Sequence, residues 1–356
     1  MSAQVATNTS SYMARSGIAQ LKSGLPAMLL VLLLLEILIS AGIGAAPLPL
    51  RGLFAYALGK GNLTPDQHTI LWAIRMPRIF AAVIVGSCLS VAGLLFQGLF
   101  RNPLADPYVI GSSGGAVLGA SLGIFVLPAF SFAGFSAIAL MACAGSLGTI
   151  VLVYWLASAN GRTPTVSLLL AGFAVGTMLS FSAYFLETLD RHFGAGMHIL
   201  SAWLHGAIAQ PTWAQLAVAA IALIFAYAAS MPLARRLNTL ALGEEYALHL
   251  GVSLQQTRGA VILIGSILTA VAVSLGGLIG FIGLIVPHTL RLILGSDHVR
   301  LLPASAIAGG VFLLLADTAA RTAIAPSEIP VGVLTAMIGG PFFLYLLRKA
   351  RREVLS

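Results

Sequence analysis

The chain has 356 residues, of which 58% are hydrophobic and only 8% charged, with a formal net charge of +8. Soluble globular proteins carry about 25% charged residues, so this composition excludes a water-soluble globular fold, and its hydrophobicity excludes a disordered chain. Long continuous apolar runs, such as residues 25–46, exclude a transmembrane β-barrel, whose strands alternate apolar and polar residues. We attribute the positive charge to basic cytosolic loops and expect no nucleic-acid partner. The composition predicts an all-α polytopic membrane protein surrounded by lipid.

Ten membrane spans are predicted, because a helix needs about 20 mostly apolar residues to cross the bilayer. Residues 1–24 form a polar N-terminal tail, residues 25–349 one transmembrane domain, and residues 350–356 a C-terminal tail. The run 25–46 is too long for a signal peptide and is interpreted as an uncleaved first helix. The predicted spans are residues 25–46, 70–99, 111–128, 133–157, 166–187, 213–231, 258–275, 277–295, 302–323 and 330–347.

The distribution of basic residues predicts the orientation. With the N-terminus in the cytosol, 13 of the 19 Lys and Arg residues fall in cytosolic segments and 6 on the other side. Basic loops stay preferentially in the cytosol, so both termini are expected there.

Residues 232–257 are the cytosolic connection of most interest. They include ALGEEYALHL, whose apolar stripe of Leu242, Tyr246 and Leu250 predicts a short amphipathic helix between Gly243 and Gly251. Such a helix suits docking onto a cytosolic partner, and an idle helix at the membrane surface is the alternative. The chain has no G-x-x-x-x-G-K-[ST] phosphate-binding loop, so no nucleotide hydrolysis by this chain is expected.

Four glycines recur every fourth residue where the third span begins. This spacing places Gly111, Gly115, Gly119 and Gly123 on one helix face, where a neighbouring backbone can approach closely. Ordinary helix packing and the wall of a conduit are the two interpretations.

Arg75 and Arg78 lie at the outer mouth of the second span, against the positive-inside trend. They are candidates either for anchoring to lipid headgroups or for binding acidic groups of an outside protein, since Arg binds carboxylates through two parallel hydrogen bonds.

Two carboxylates lie inside predicted spans. Glu36, midway along the first span, is expected to be protonated or to face another helix, and Asp317 to be held by local hydrogen bonds. The alternative interpretation makes them the proton or cation sites of an ion-coupled secondary transporter. An intramembrane hydrolase lacks a catalytic constellation in this sequence.

Histidines cluster in the outer connection 190–212. His192, His198 and His205 show no metal-ligand spacing, so no metal site is predicted. They are either solvated or, together with Met197, contact a passing metal chelate or haem. Met197, His198 and His205 are therefore the candidate substrate contacts.

Four segments, in this order, resemble the permease subunits of FecCD-like (BtuC-like) type II ATP-driven importers of iron siderophores, haem and cobalamin. The resemblance covers most of the chain from Arg75 to Lys349. The segments are RMPRIFAAVIVGSCLSVAGLLFQGLFRNPLADPYVIGSSGGA, LALGEEYALHLG, GFIGLIVPHTLR and EIPVGVLTAMIGGPFFLYLLRK.

The resemblance implies a homodimer of ten-helix subunits in a bacterial cytoplasmic membrane, with a conduit on the dimer axis and alternating access. Two ATPase subunits, which would bind ATP and magnesium, would sit beneath it and a periplasmic or lipid-anchored substrate-binding protein above; this chain itself would bind no cofactor.

The resemblance also implies roles for individual residues. Arg75, Arg78 and Arg321 match the family's outer arginines, which meet glutamates of the binding protein. The implied ATPase contact comprises Leu242, Gly243, Glu244, Glu245, Ala247 and Gly251. Signature residues expected to have a structural role are Asn102, Pro103, Pro107, Pro287 and His288.

The expected cargo is an iron chelate, siderophore or haem, with cobalamin as the alternative. No pocket motif in the sequence distinguishes these cargoes, and a shared fold does not assign a substrate.

Overall fold

A computed structural model describes residues 24–44, 46, 48–127, 130–132, 134–158, 164–189, 195–208, 210–325 and 327–355. Side chains of residues 195 and 349–355 are not included in the description. Almost all of the predicted N-terminal tail and His192 lie outside these residues, and of the predicted C-terminal tail only backbone is described.

Ten apolar helices are found in the described part of the chain, which confirms the all-α polytopic prediction. Eight are long enough to cross a membrane: α1 (Gly24–Gly42), the continuous Pro65–Phe100 that contains α4 (Met76–Phe100), α6 (Ala137–Ala157), α7 (Thr165–Leu189), α9 (Trp213–Ala241), α11 (Leu254–Gly276), α13 (His298–Thr322) and α14 (Val331–Leu355). Two are shorter, α5 (Ser112–Phe125) and α12 (Ile282–Leu294). At 1.5 Å per residue each short helix extends only about 20 Å, less than the hydrocarbon core of about 30 Å.

Short elements connect these helices. Tiny strands β1 and β2 form an antiparallel hairpin in which Ser131 pairs with Ser136. The connecting elements are α2 (Leu50–Ala57), α3 (Pro65–Thr69), a π-helix (Ile70–Arg75), a 3₁₀-helix (Pro107–Ile110), β1 (Ser131–Phe132), β2 (Phe135–Ser136), α8 (Ala195–Leu204) and α10 (Glu244–His249).

Helix α4 is the centre of the molecule. Within its most apolar stretch 89% of residues are buried, against 22% in α1 and α14. It packs on α13 where Gly86 faces Gly309, and on α12 where Gly93 faces Gly283. A Cβ on Gly93 would lie 2.0 Å from the carbonyl oxygen of Gly283, so only glycine permits this approach. The core is therefore built on direct backbone contact around one helix.

The glycine repeat of the third span is only partly the single face that its spacing predicts. Gly115, Gly119 and Gly123 do pack on α6, where Cβ atoms would meet the backbone of that helix. Gly111 instead precedes α5 in a left-handed conformation (φ 82°) and faces Gly172 of α7. The prediction was wrong for Gly111 because a positive φ ends the helical register on which the four-residue spacing depends.

The connection between α9 and α11 is shorter than the predicted 232–257. Pro232 lies inside α9, which continues to Ala241, so the non-spanning segment runs over residues 242–253. A proline inside a helix removes one hydrogen bond and favours a kink, but a long transmembrane helix continues where neighbouring groups satisfy the freed backbone.

Candidate functional site

Two polar regions lie at opposite ends of the antiparallel pair α4 and α13. At one end Arg78 of α4 pairs with Asp317 of α13, and at the other Gly98 of α4 contacts His298, the first residue of α13. The 20 residues between Arg78 and Gly98 span about 30 Å, the thickness of the hydrocarbon core. We call these regions the arginine end, which holds Arg75, Arg78 and Arg321, and the α10 end, which holds α10.

At the arginine end the π-helix precedes α4 and ends at Arg75, which is buried (5% exposed). A π-helical turn changes the face on which the following side chains emerge, and such turns are frequent at functional sites. The Arg75 guanidinium donates hydrogen bonds to the backbone carbonyls of Ala41 and Ala46. It thereby satisfies a carbonyl at the C-terminus of α1, where a positive charge is favourable.

Asp317 holds the other two arginines. Its Oδ1 accepts from Arg78 Nη2 at 3.0 Å and its Oδ2 from Arg321 Nε at 3.0 Å, while the carboxylate is fully buried. Arg321 also donates to Ser40 Oγ of α1 at 2.8 Å. The local hydrogen bonding expected of Asp317 is thus present, and two cations already compensate this carboxylate.

The three arginines line a cavity of about 210 Å³ together with Glu328, whose Oε2 lies 2.7 Å from Arg78 Nη1. Arg75 and Arg321 are turned inward more than their sequence position suggests, since both are less than 10% exposed. Their proposed meeting with an outside protein stays a prediction.

Glu36 is separate from this network. It is buried in α1, and neither carboxylate oxygen has a hydrogen-bond partner among the described residues. The side chain therefore faces the protein interior, as expected for a carboxyl group inside a span.

At the α10 end, α10 is a six-residue helix bounded by Gly243 (φ 129°) and Gly251 (φ 77°), as the sequence indicates. The helix and its flanking residues present an apolar surface to solvent, formed by Leu242, Tyr246, Leu248 and Leu250, each more than half exposed. Glu245 is also exposed, while Glu244 pairs with Arg258 of α11 at 2.7 Å.

Ala247, placed at the partner contact from the resemblance, is fully buried in this chain. It is the buried residue of α10 and packs the helix onto the rest of the described chain. In this conformation Ala247 is not part of the exposed apolar surface around α10.

Two of the signature residues, Pro107 and Pro287, lie where α4 contacts α12. Pro287 has no N–H, so the carbonyl of Gly283 one turn earlier lacks its helical donor. The buried Gln97 of α4 supplies that donor, because its Nε2 lies 3.0 Å from Gly283 O, and its Oε1 accepts from Arg291 Nη2 at 3.4 Å. Pro107 also packs against Gly283. Gln97 was not predicted from the sequence as a site residue, although it is an amide within an apolar span and is buried.

The remaining signature residues make local contacts in the described structure, and their structural role stays a prediction. Asn102 Oδ1 accepts from the backbone N–H of Leu104 at 3.0 Å, which shapes the turn that carries the exposed Pro103. Asp106 caps the 3₁₀-helix through Tyr108 N at 3.0 Å, and burial raises the pKa of its carboxyl to about 6. His288 contacts the ring of Phe342 of α14 edge-on, with centroids 6.2 Å apart.

A hydrogen-bonded junction links α9, which leads into α10, to the start of α13. Asn238 of α9 donates to Asp297 Oδ1 at 2.6 Å and accepts from the backbone N–H of His298 at 2.8 Å. Partial burial acts to raise the pKa of Asp297, but hydrogen bonds from Asn238 and Val299 N and the nearby Arg300 outweigh it, so the pKa lies below its ordinary value. No motif in the sequence indicates this junction, because its partners are 59 and 60 residues apart.

The three candidate substrate contacts do not form one cluster. His205 is exposed and lines a cavity of about 530 Å³ with Leu278, Phe281 and Met337. His198 is exposed and Met197 half-buried on α8, and neither lines that cavity. Among the described residues no group of three or more His, Cys, Asp or Glu side chains could hold a metal ion.

Comparison with known proteins extends over nearly the whole chain. Residues 31–349 match the FecCD transport family. The cobalamin import system permease protein BtuC of Halobacterium salinarum is 41% identical over 312 residues, which cover 87% of this chain and 81% of that protein. The hemin transport system permease protein HmuU of Yersinia pestis is 39% identical over 329 residues, covering 91% and 95%. A solved structure of a metal-chelate type ABC transporter in an inward-facing conformation superposes with a TM-score of 0.79 at 31% identity, covering 91% of this chain and 98% of that one.

Proposed function

We propose, because this chain belongs to the FecCD transport family, that two copies of it form the translocation conduit of an ATP-driven importer of an iron chelate. The chain is a permease of the type II ABC importers and a polytopic protein of the cytoplasmic (inner) membrane. As a transport subunit it is not an enzyme in its own right, and we assign ATP and magnesium to a partner subunit.

The observation that carries the proposal is the exposed α10 at the end of the molecule remote from the arginines. Two large apolar side chains of this six-residue helix, Tyr246 and Leu248, and two that flank it, Leu242 and Leu250, are exposed, while Ala247 of the helix is buried. An apolar surface of this kind marks a protein contact. We assign this contact to a cytosolic ATPase, and the arginine end to a substrate-binding protein.

The homodimer is supported by apolar faces that the chain leaves uncovered. Helix α7 exposes Phe173, Phe181 and Phe185, and α14 exposes Met337 and Tyr345, each by more than 60%. Part of this surface faces lipid, and we assign the remainder to the second copy and the conduit.

For the cargo we favour an iron chelate, haem or siderophore, over cobalamin. The support is His205 beside Phe281 and Met337 in the cavity of about 530 Å³, because imidazole and flat apolar surfaces suit a metal chelate. Relatives named for hemin and for cobalamin are nearly equally similar, so cobalamin remains the alternative.

The test is co-purification of the tagged full chain from its native membranes in mild detergent, with mass spectrometry of the bound proteins. We expect an ATPase in about equal amount, and we expect Leu250→Glu to lose it because a charge replaces an exposed apolar contact. The matched control is Leu58→Glu, an exposed leucine of the α2–α3 connection. A wild-type chain that purifies alone, or a Leu250→Glu variant that retains the ATPase, would contradict the assignment.

A second function, an ion-coupled secondary transporter, is favoured by one observation, the buried and unpartnered carboxyl group of Glu36. Proton-driven uptake of chelate by the purified chain alone, lost in Glu36→Gln, would establish it. Absence of such uptake in sealed vesicles would remove it.

A further inference from the structure

Arg78 is the arginine of the cluster that offers a nitrogen atom to the surface. The guanidinium of Arg75 is committed to two backbone carbonyls, and that of Arg321 to Asp317 and Ser40. The side chain of Arg78 is 15% exposed, twice the 7% of Arg321. An incoming protein therefore meets Arg78 first.

The two edges of the Arg78 guanidinium differ in environment. Nε and Nη2 lie 3.2 and 3.0 Å from Oδ1 of Asp317, whose side chain is fully buried. Nη1 lies 2.7 Å from Oε2 of Glu328, whose side chain is 51% exposed. The inner pair is fixed because its separation would remove one of the two cations that compensate a fully buried carboxylate, whereas an ion pair with one half-exposed partner is weak and exchangeable.

Glu328 is carried by a short connection and not by a helix. It follows the isolated bridge between Ile324 and Ser327 and stands three residues before α14 begins at Val331. Its carboxylate sits at the mouth of the cavity that the three arginines line. There it makes the contact with Arg78 that a carboxylate from another protein would have to make.

We propose that Glu328 is an internal competitor, occupying the outer edge of Arg78 until a carboxylate of the docking protein replaces it. The inference rests on the proposed function, in which a substrate-binding protein docks at the arginine end. Docking is then an exchange of carboxylates at Nη1 of Arg78, while Asp317 holds the inner edge throughout. Exchange releases Glu328 and with it the connection that leads into α14.

The proposed competition by Glu328 is tested with an acidic peptide as the probe. The full chain is placed in nanodiscs of uncharged phosphatidylcholine, and binding of a fluorescein-labelled hexaglutamate peptide is measured by fluorescence anisotropy at low salt. We expect Glu328→Gln to bind the peptide about two- to fivefold more tightly than wild type, the range that corresponds to one exposed ion pair. We expect Arg78→Gln to lose most of the binding.

Removing any acidic side chain raises the net charge by one, so the matched control is Asp66→Asn, an exposed carboxylate in α3 on the segment that leads into Arg75. If Glu328→Gln binds the peptide no more tightly than Asp66→Asn does, the proposed competition by Glu328 is overturned, while Arg78 remains the docking site. If Arg78→Gln binds as well as wild type, the docking site itself is overturned.

A second readout needs no ligand. Phenylglyoxal modifies accessible guanidinium groups, and peptide mass spectrometry reports the rate at Arg78. We expect faster modification of Arg78 in Glu328→Gln than in wild type, with an unchanged rate at Arg51, which is exposed. An equal rate at Arg78 in the two proteins would contradict the proposal.

Discussion

The amide of Gln97 compensates for a hydrogen bond that Pro287 removes from α12. Its Nε2 donates to the carbonyl that Pro287 leaves without a partner, and its Oε1 accepts from Arg291 one turn further along the same helix. One side chain of α4 thus contacts α12 on both sides of Pro287, at Gly283 and at Arg291. A buried polar group in such a position stabilises the fold only while both partners remain in place.

Replacing Gln97 with Leu is expected to lower the free energy of unfolding by about 1–3 kcal/mol, because the Gly283 carbonyl is then buried without a donor. Thermal unfolding of the purified protein in detergent measures the loss. Gln256→Leu, an exposed position in the first turn of α11, is the control and should change stability by less than about 0.5 kcal/mol. Equal effects of the two substitutions would show that the Gln97 contact contributes nothing.

At the scale of elements, the contacts that organise the fold are glycine contacts between helices. Gly86 with Gly309 and Gly93 with Gly283 bring α4 into backbone contact with α13 and α12. Sequence alone predicts that a glycine-rich helix packs closely, but not which glycines meet. That pairing depends on the relative height of helices whose paired glycines are 190 and 223 residues apart in the chain, which one sequence does not reveal.

Gly93→Ala is expected to destabilise the protein by about 1–3 kcal/mol or more, because its Cβ would lie 2.0 Å from a backbone oxygen and the helices must separate. The control is Gly148→Ala in α6, where no atom lies within 4 Å and the change should be neutral or stabilising by up to about 1 kcal/mol. The melting temperatures of the two variants, measured in the same detergent, test this difference in stability. Similar melting temperatures would mean that α4 and α12 are not in backbone contact.

At the scale of the whole molecule, the ten apolar helices and the α10 segment could be predicted because both depend on local patterns, namely apolar length and an amphipathic stripe, although two of the helices, α5 and α12, are too short to cross the hydrocarbon core by themselves. The inward direction of Arg75 could not be predicted, because it depends on a π-helical turn that has no clear sequence signal. The asymmetry of Glu244 and Glu245 was equally hidden, since it depends on Arg258 reaching across from α11. Sequence therefore locates the candidate sites, and tertiary contacts decide which side chains are presented.

Because α4 is buried on all sides and α1 and α14 are largely uncovered, local stability should fall from the centre outward. Hydrogen exchange followed by mass spectrometry in nanodiscs should show the slowest amide exchange in peptides from α4 and the fastest in α10. Exchange in α4 as fast as in α10 would contradict this arrangement.

The exposed leucines and tyrosine of α10 also have a consequence for how cells must produce this subunit. A copy synthesised without the ATPase that we propose as its partner presents Leu242, Tyr246, Leu248 and Leu250 to water. Uncovered apolar surface of this kind promotes aggregation and recruits chaperones and proteases. In the proposed assembly balanced synthesis of this chain and the ATPase is therefore expected, and an excess of this chain is the form that quality control would remove first.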